Sequence, residues 1–397
     1  MKDCPVCACA AHEPVLSVRG VPTNCSILYP SKESAARVRR GDLNFRFCTA
    51  CGFLFNASFD PSLLTYDPSY DNSLCFSPLF QDYSRTLARR LIDTYQLRRK
   101  EIVEIGCGGG EFLVSLCELG ENRGVGFDPA YSGQSDAGSA GRVRFVRDYF
   151  SDSHSLAGAG LVCSRHVFEH VPDPRSLVSV LRRGVAGNSG TVLYIEVPNG
   201  EAVLNAELCW DLPYEHCSIF TAPALRNLFE AGGFRVVNIG TSYRDEFLYL
   251  EAVLGASAET PHPPGEEVEA LRDLVHGFRT RFEETVSTWS GFLADAAGTG
   301  RRVALWGAGA KSVIFLNLVP GAQSIGAVTD LNPRKYGKFI PGTQHQILSP
   351  DCMKEFRPDT VLLTNPIYEA EVRDALRGMG IGAEVVVAAP RRNLMTC

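Results

Sequence analysis

No stretch of this chain is apolar for long enough to cross a bilayer, which takes roughly 20 residues. The opening Met1-Lys2-Asp3-Cys4 also lacks the apolar core of a secretory leader. Membrane and export classes are therefore set aside, and a cytoplasmic protein is expected. A basic stripe is missing as well: Arg37, Arg39 and Arg40 form the densest cationic cluster, and the formal net charge is −6. Neither nucleic acid nor a membrane is expected as a partner, which leaves small molecules and an oligomeric state of monomer or homodimer. Cysteine is not scarce, at 14 residues. Without an export signal, and with Cys117, Cys163 and Cys209 lying singly in apolar stretches, these read as buried thiols rather than disulfide partners.

What the chain does have is a glycine-rich turn. Glu104-Ile105-Gly106-Cys107-Gly108-Gly109-Gly110 follows the apolar pair Ile102 and Val103. A strand that ends in such a turn and opens a helix lets a ligand approach the backbone, because glycine carries no side chain and tolerates positive φ. Asp128 closes the next apolar run, Gly124-Val125-Gly126-Phe127, where a second strand would set a carboxylate against two ribose hydroxyls. The pattern is E-x-G-x-G-x-G, not the dinucleotide G-x-G-x-x-G. A carboxylate at Glu104 would repel a pyrophosphate but attract an ammonium or sulfonium group in a partly dry cleft. S-adenosylmethionine carries both of those cations. The segment resembles motif I of class I methyltransferases, with Glu104, Gly106, Gly108, Gly110 and Asp128 as cofactor-binding residues. The alternative is a βα turn with a purely structural role.

Two C-x-x-C knuckles, Cys4-Pro5-Val6-Cys7 and Cys48-Thr49-Ala50-Cys51, stand about 40 residues apart. Each can aim two sulfurs at one ion, and a closed four-sulfur set is the signature of structural zinc. Cys9, His12 and Cys25 are possible substitutes for one ligand, and redox or simply buried cysteines are the competing reading.

Between the knuckles and the glycine turn, Tyr66-Asp67-Pro68-Ser69-Tyr70-Asp71-Asn72-Ser73 is polar and aromatic, as pocket-lining loops often are. A helical pattern follows from near Phe80 to Leu97. The short apolar runs 102–105, 124–127, 143–146, 161–164 and 191–197 alternate with helical stretches, which predicts an α/β domain with a parallel sheet. The segments 234–239 and 248–252 are expected to add an antiparallel pair. Pro261-His262-Pro263-Pro264-Gly265 breaks the chain. Apolar residues from Val268 to Leu293 then recur at three- and four-residue steps, predicting one long amphipathic helix. A second βα unit opens at Arg302-Val303-Ala304-Leu305-Trp306-Gly307-Ala308-Gly309-Ala310-Lys311-Ser312, and its next strand ends at Asp330. Lys311 at the helix start could hold a phosphate, and the basic loop 330–343 an anionic ligand. The expected division is a zinc-binding domain 1–78, a methyltransferase domain 79–256, a helical linker 257–298 and a second Rossmann-like domain 299–397.

That order, together with Gly307-Ala308-Gly309-Ala310-Lys311-Ser312, Asp330-Leu331-Asn332-Pro333 and Pro341-Gly342-Thr343, resembles the three-domain sugar C-methyltransferase family. The resemblance implies S-adenosylmethionine as methyl donor, structural Zn2+, and methylation of a carbon beside a ketone on a nucleotide-linked deoxysugar in natural-product biosynthesis. In that family a Tyr-His-Glu-His motif sits beside the substrate, and its last histidine acts as base. Here the matching stretch is Pro213-Tyr214-Glu215-His216: Glu215 and His216 carry over, Tyr214 falls on the first histidine, and Pro213 falls on the tyrosine.

Carbon methylation needs an enolate, hence a base, and histidine suits that task near neutral pH. His216 is the candidate base, with Glu215 to orient it and Tyr214 to hydrogen-bond the developing oxyanion. A core histidine is the competing reading for His216. His166 and His170, in Arg165-His166-Val167-Phe168-Glu169-His170, are rival bases, although Glu169-His170 also reads as a structural helix start. Asp148 and Tyr149 are expected to meet the adenine, or Asp148 simply to cap. Two other functions stay open: O- or N-methylation of another intermediate, and a non-methylating S-adenosylmethionine-binding protein.

Overall fold

The computed structural model describes residues 3–133, 141–188, 190–206, 208–255 and 265–390. The Pro261–Pro264 break lies outside the described residues. At the amino terminus, strand β1 (His12–Pro22) pairs antiparallel with β2 (Arg40–Cys48), and helix α1 (Lys32–Ala36) sits in the connection. Along β2 the buried Leu43, Phe45 and Phe47 alternate with the more exposed Asp42, Asn44 and Arg46, so one face meets the core. Strand β3 (Leu54–Asn56) extends this sheet. Helix α2 (Pro78–Tyr95) starts where the Ser77 hydroxyl accepts the Phe80 N–H and Pro78 occupies a position that needs no donor.

The central sheet begins with β4 (Glu101–Ile105), α3 (Glu111–Gly120), β5 (Arg123–Phe127) and β6 (Val143–Val146). It continues through β7 (Ala159–Arg165), α4 (Pro174–Val185) and β8 (Val192–Pro198). After α5 (Gly200–Leu204), the two-residue strand β9 (Ser218–Ile219) leaves this sheet and pairs with β3, so the amino-terminal sheet runs β1-β2-β3-β9. Helix α6 (Ala222–Ala231), β10 (Phe234–Ser242) and β11 (Phe247–Leu254) complete a seven-stranded sheet of order β10-β11-β8-β7-β4-β5-β6. Its strands pair parallel from β8 to β6, while β11 runs antiparallel to both neighbours. The five predicted parallel strands and the antiparallel pair are therefore all present.

Helix α7 (Glu266–Thr299) is the single long helix that the periodicity predicts. It buries Val268, Leu271, Val275, Phe278, Phe282, Trp289 and Leu293 along one stripe. That stripe packs on a core shared by Val15, Leu16 and Phe45 of the amino-terminal sheet and by Val313 and Phe315 farther along the chain. The indole of Trp289 donates to the Ala389 carbonyl at 3.1 Å, and that of Trp210 donates to Ala388, which ties the last described segment to this core. The carboxy-terminal unit comprises β12 (Val303–Trp306), α8 (Ala310–Leu318), β13 (Ala327–Thr329) and β14 (Ile347–Leu348). Helix α9 (Cys352–Phe356), β15 (Thr360–Leu363), α10 (Glu369–Gly378) and β16 (Glu384–Val387) follow, in an all-parallel sheet of order β14-β13-β12-β15-β16.

In an open parallel sheet a ligand crevice forms where the strand order reverses, outside the carboxyl ends. In the central sheet that point lies between β4 and β7, and in the carboxy-terminal sheet between β12 and β15. Both glycine turns follow the first strand of their sheet, so each sits at its own switch point.

Candidate active site

The two switch points open into one cavity of about 1080 Å³. Its wall takes Glu104–Gly109 and Asp128 from the central sheet, His166, His170 and His216 from the next loops, and Trp306–Ser312 from the carboxy-terminal unit.

At the first turn Gly106, Gly108 and Gly110 have φ of +72°, +54° and +87°, which a residue with a side chain adopts at a cost. A Cβ at Gly106 would fall 2.0 Å from Val167 Cγ2, whereas at Gly108 it would meet nothing within 4 Å. Gly106 thus serves internal packing, and Gly108 fronts open space. Asp128 accepts the Gly108 N–H at 2.8 Å and the Ala130 N–H at 2.7 Å, which fixes the turn against β5. Glu104 is 3 % exposed, and its Oε2 has no hydrogen-bond partner. Burial pushes its carboxyl up to about 8, against the nearby Arg165 guanidinium. A buried carboxyl with an orphaned oxygen is a place where a cation would be welcome. Asp148 and Tyr149 line the same end of the cavity; Tyr149 is 60 % exposed, and Asp148 Oδ1 accepts its N–H at 2.8 Å.

The histidine face follows β7 and the segment after α5. His166 sits in a left-handed conformation, φ +56°, and its N–H donates to the Glu196 carbonyl at 2.8 Å. Its Nε2 stands 3.3 Å from Glu196 Oε1 and its Nδ1 3.7 Å from Glu169 Oε1. Glu196 is in turn held by Arg165 at 2.8 Å, by the Tyr194 hydroxyl at 2.7 Å and by the Tyr83 hydroxyl. His170 meets the Tyr66 hydroxyl at 3.0 Å through Nδ1 and has a hydrogen bond with the Glu215 backbone; burial pushes its pKa well below the usual histidine range. His216 lies with its ring centroid 5.0 Å from that of His170, and its Nδ1 is 3.5 Å from Asp211 Oδ1. Burial lowers its pKa to about 4, while Asp211 works in the opposite direction. His216 is therefore neutral at pH 7.

Two expectations about this face need correction. Tyr214 is fully buried on the far side of the motif, where its hydroxyl accepts the Asp60 N–H at 2.8 Å and its ring packs on Phe59 and Gly41. It is not among the cavity residues, so it offers no donor to an oxyanion. Glu215 does not orient His216: its oxygens accept the Cys25 N–H at 2.7 Å and the Tyr70 hydroxyl at 3.3 Å. A hydrogen bond from the His216 N–H to the Pro213 carbonyl at 3.0 Å closes a turn over this stretch, and its side chains leave in different directions. The carboxylate at His216 Nδ1 is Asp211, and Tyr66 and Tyr70 of the aromatic loop stand in the wall. Asp211 carries no motif; only the turn that brings it back beside His216 reveals it.

From the carboxy-terminal unit, Gly307 has φ +99°, and a Cβ at Gly307 or Gly309 would meet nothing within 4 Å. Asp330 accepts the Ala308 N–H at 2.7 Å and the Lys335 ammonium at 2.9 Å. Lys311 is not free for a phosphate as expected, since its ammonium lies 3.0 Å from Asp211 and 2.7 Å from Glu246. In the basic loop Arg334 is paired in the same way, 3.0 Å from Asp71 and over the ring of Phe76.

Away from the cavity, the knuckles converge. Cys4 Sγ is 3.7 Å from Cys51 Sγ and Cys7 Sγ 3.5 Å from Cys48 Sγ, and the four sulfurs form a set that could hold a metal ion. Each knuckle turns on a backbone hydrogen bond, Ala8 N–H to the Cys4 carbonyl and Gly52 N–H to the Cys48 carbonyl, with Gly52 at φ +77°.

Two family models match. Residues 78–239 match a methyltransferase domain, and residues 266–390 match a C-methyltransferase C-terminal domain. The chain is an S-adenosylmethionine-dependent methyltransferase with the carboxy-terminal domain found in C-methyltransferases. Among curated proteins, the C-methyltransferase NovU of Streptomyces niveus is 27% identical over 290 residues, covering 69% of this methyltransferase and 68% of that protein. Among solved structures, the 1,6-didemethyltoxoflavin-N1-methyltransferase of Burkholderia thailandensis is 18% identical, with a TM-score of 0.36, covering 45% of this chain and 81% of its own. The magnesium protoporphyrin IX methyltransferase of Synechocystis PCC 6803 is also 18% identical, with a TM-score of 0.36, covering 45% of this chain and 84% of its own. The orphaned Glu104 oxygen and the open face at Gly108 fit the methyl donor: one suits its cations, and the other lets it approach the backbone. Among the described residues, no helix of the methyltransferase is long and apolar enough to cross a membrane.

Proposed function

We propose that this enzyme removes a proton from a carbon beside a ketone, on a nucleotide-linked deoxysugar or a related metabolite, and methylates that carbon. The observation that carries the reading is the shared cavity, in which a donor-type glycine turn and a neutral buried histidine face one space. When bound, S-adenosylmethionine supplies an electrophilic methyl group on a sulfonium centre. Glu104 would hold its cationic end, Asp128 its ribose hydroxyls, the backbone at Gly106, Gly108 and Gly110 would border it, and Asp148 and Tyr149 would meet the adenine. His216 accepts the acceptor's α-proton at Nε2 as the C–H electron pair moves toward the carbonyl oxygen. A conjugate acid near 4 is weak for this task, so the imidazolium needs a nearby anion as it forms, and Asp211 stands at that place. Tyr66 and Tyr70 are the wall hydroxyls that could donate to the oxygen in place of Tyr214. His166 is the rival base, already pressed between Glu196 and Glu169.

The open backbone of Gly307 and Gly309 at the start of α8 supports an anionic portion of the acceptor there, because helix N-termini favour negative charge. Cys4, Cys7, Cys48 and Cys51 would hold one structural zinc, a closed site without an open position for chemistry. Metal analysis should return one zinc per chain, and Cys48→Ser should abolish it.

The test is α-proton exchange in deuterated water with candidate nucleotide-linked ketosugars. Wild-type enzyme should wash in deuterium, and His216→Gln should slow exchange by about 100-fold, the lower range for a removed general base. Exchange at the wild-type rate would move the base elsewhere. Transfer of label to oxygen or nitrogen would support the O- or N-methylation reading, and S-adenosylmethionine binding by calorimetry without methyl transfer to any acceptor would support the non-methylating one.

A further inference from the structure

We infer that Asp211 and Lys311 are positioning residues that hold His216 with its proton on Nδ1 and its lone pair on Nε2, across the junction of the two Rossmann-like units. The inference rests on the reading of His216 as base. Asp211 is 5 % exposed and divides its two oxygens: Oδ1 lies 3.5 Å from His216 Nδ1 and Oδ2 lies 3.0 Å from Lys311 Nζ. An ionised carboxylate only accepts, so a neutral imidazole can face it through nothing but an N–H. That requirement fixes the tautomer. Lys311 keeps the carboxylate ionised: burial alone would raise the Asp211 pKa, and the ammonium brings it below the usual aspartate range.

Lys311 comes from the first turn of α8 and meets a second carboxylate across the junction, from the connection between β10 and β11. Its ammonium also meets Glu246 at 2.7 Å, and the Asn365 amide donates to both Glu246 oxygens at 2.9 and 3.0 Å. The chain of contacts thus runs from β15's following loop through Glu246, Lys311 and Asp211 to the imidazole. The 3.5 Å separation at its last link exceeds a hydrogen bond, as unliganded catalytic pairs often do before they tighten around substrate. The other charged or titratable groups facing His216 are His166, His170 and Glu169. The ion pair made by His216 Nδ1 among the described residues is the one with Asp211, so the tautomer depends on that carboxylate. The carboxy-terminal unit, through Lys311, is then part of what makes the base competent.

Full-length protein labelled with 15N in its histidine rings tests this without any acceptor. The His216 signals are identified by their loss in His216→Gln. At pH 7 the wild type should show Nδ1 protonated and Nε2 bare. In Asp211→Asn the lysine captures the amide oxygen and turns the NH2 toward Nδ1, so the proton should move to Nε2. Lys311→Met removes the cation that keeps the buried Asp211 ionised, so the carboxyl should take up a proton, donate it to Nδ1 and leave the ring proton on Nε2, whereas Lys311→Arg should keep the wild-type tautomer. If Lys311→Met does not fold, the isosteric Asp211→Asn carries the test. An unchanged tautomer in Asp211→Asn, or in a folded Lys311→Met, overturns the assignment. Failure of the base reading is separate: α-proton exchange that survives His216→Gln removes the base, whatever tautomer the ring adopts.

Discussion

Glu104 has a carboxyl that burial raises from 4.5 to about 8, with one oxygen unpartnered. The linkage sign follows from that shift. A pKa raised on folding contributes stability that is complete below the unfolded value and is lost as pH rises through the folded one. Glu104→Gln should therefore flatten the dependence: between pH 5 and 9 the Tm of ligand-free wild type should fall relative to the variant. The same change should weaken S-adenosylmethionine by about 10-fold, ~1.4 kcal/mol, as calorimetry reads it. A variant that is both more stable at pH 9 and weaker in binding separates a ligand role from a packing role. At this scale the sequence was partly legible. The turn, Asp128 and His216 are local patterns, and the cavity wall takes Glu104–Gly109, Asp128 and His216, with Tyr66 and Tyr70 of the loop whose composition suggested a pocket lining. Asp211 acquires its place only through the fold, and Tyr214 loses its place because the turn faces it away from the cavity.

The glycine turn acts as an element in which two neighbouring glycines do different work. Gly106→Ala would drive a Cβ to 2.0 Å from Val167 Cγ2 at φ +72°, so it should lower thermal stability as well as binding. Gly108→Ala meets no protein atom within 4 Å at φ +54° and costs about 1 kcal/mol of backbone strain, while its methyl occupies space the ligand needs. Its melting point should stay near wild type while S-adenosylmethionine affinity drops at least about 10-fold; equal affinities would contradict a ligand at that face. Helix α7 is the opposite case, an element read directly from its spacing because 34 residues give the 3.6-residue period room to show. Trp289→Ala, at a fully buried position on its stripe, should cost about 3–5 kcal/mol in denaturant unfolding. Strand β9 was illegible for the converse reason: with two residues it has no period, and its pairing with β3 comes from contacts made across more than 150 residues of chain.

At the scale of the whole molecule, two open parallel sheets present their switch points to one cavity, and a buried ammonium from the second meets a carboxylate from the first. The central sheet was legible from its alternation of apolar runs and helices, and the carboxy-terminal sheet only in its first two strands, β12 and β13. Their common cavity was not, since nothing local to either glycine turn says what stands opposite. The cysteine knuckles belong to this scale too, because the sheet they adjoin is closed by β9 from the methyltransferase region. Removing the proposed zinc with a chelator should lower the melting point of the entire chain rather than of an amino-terminal piece alone, and scanning calorimetry would read the difference. The central claim is carbon methylation by a histidine base in that cavity. Its most direct measurement is carbon NMR of nucleotide-linked ketosugars incubated with 13C-methyl S-adenosylmethionine. The account predicts a labelled methyl group bonded to the carbon beside the ketone, formed by wild type and abolished in His216→Gln. Label on oxygen or nitrogen, or undiminished product from His216→Gln, would contradict it.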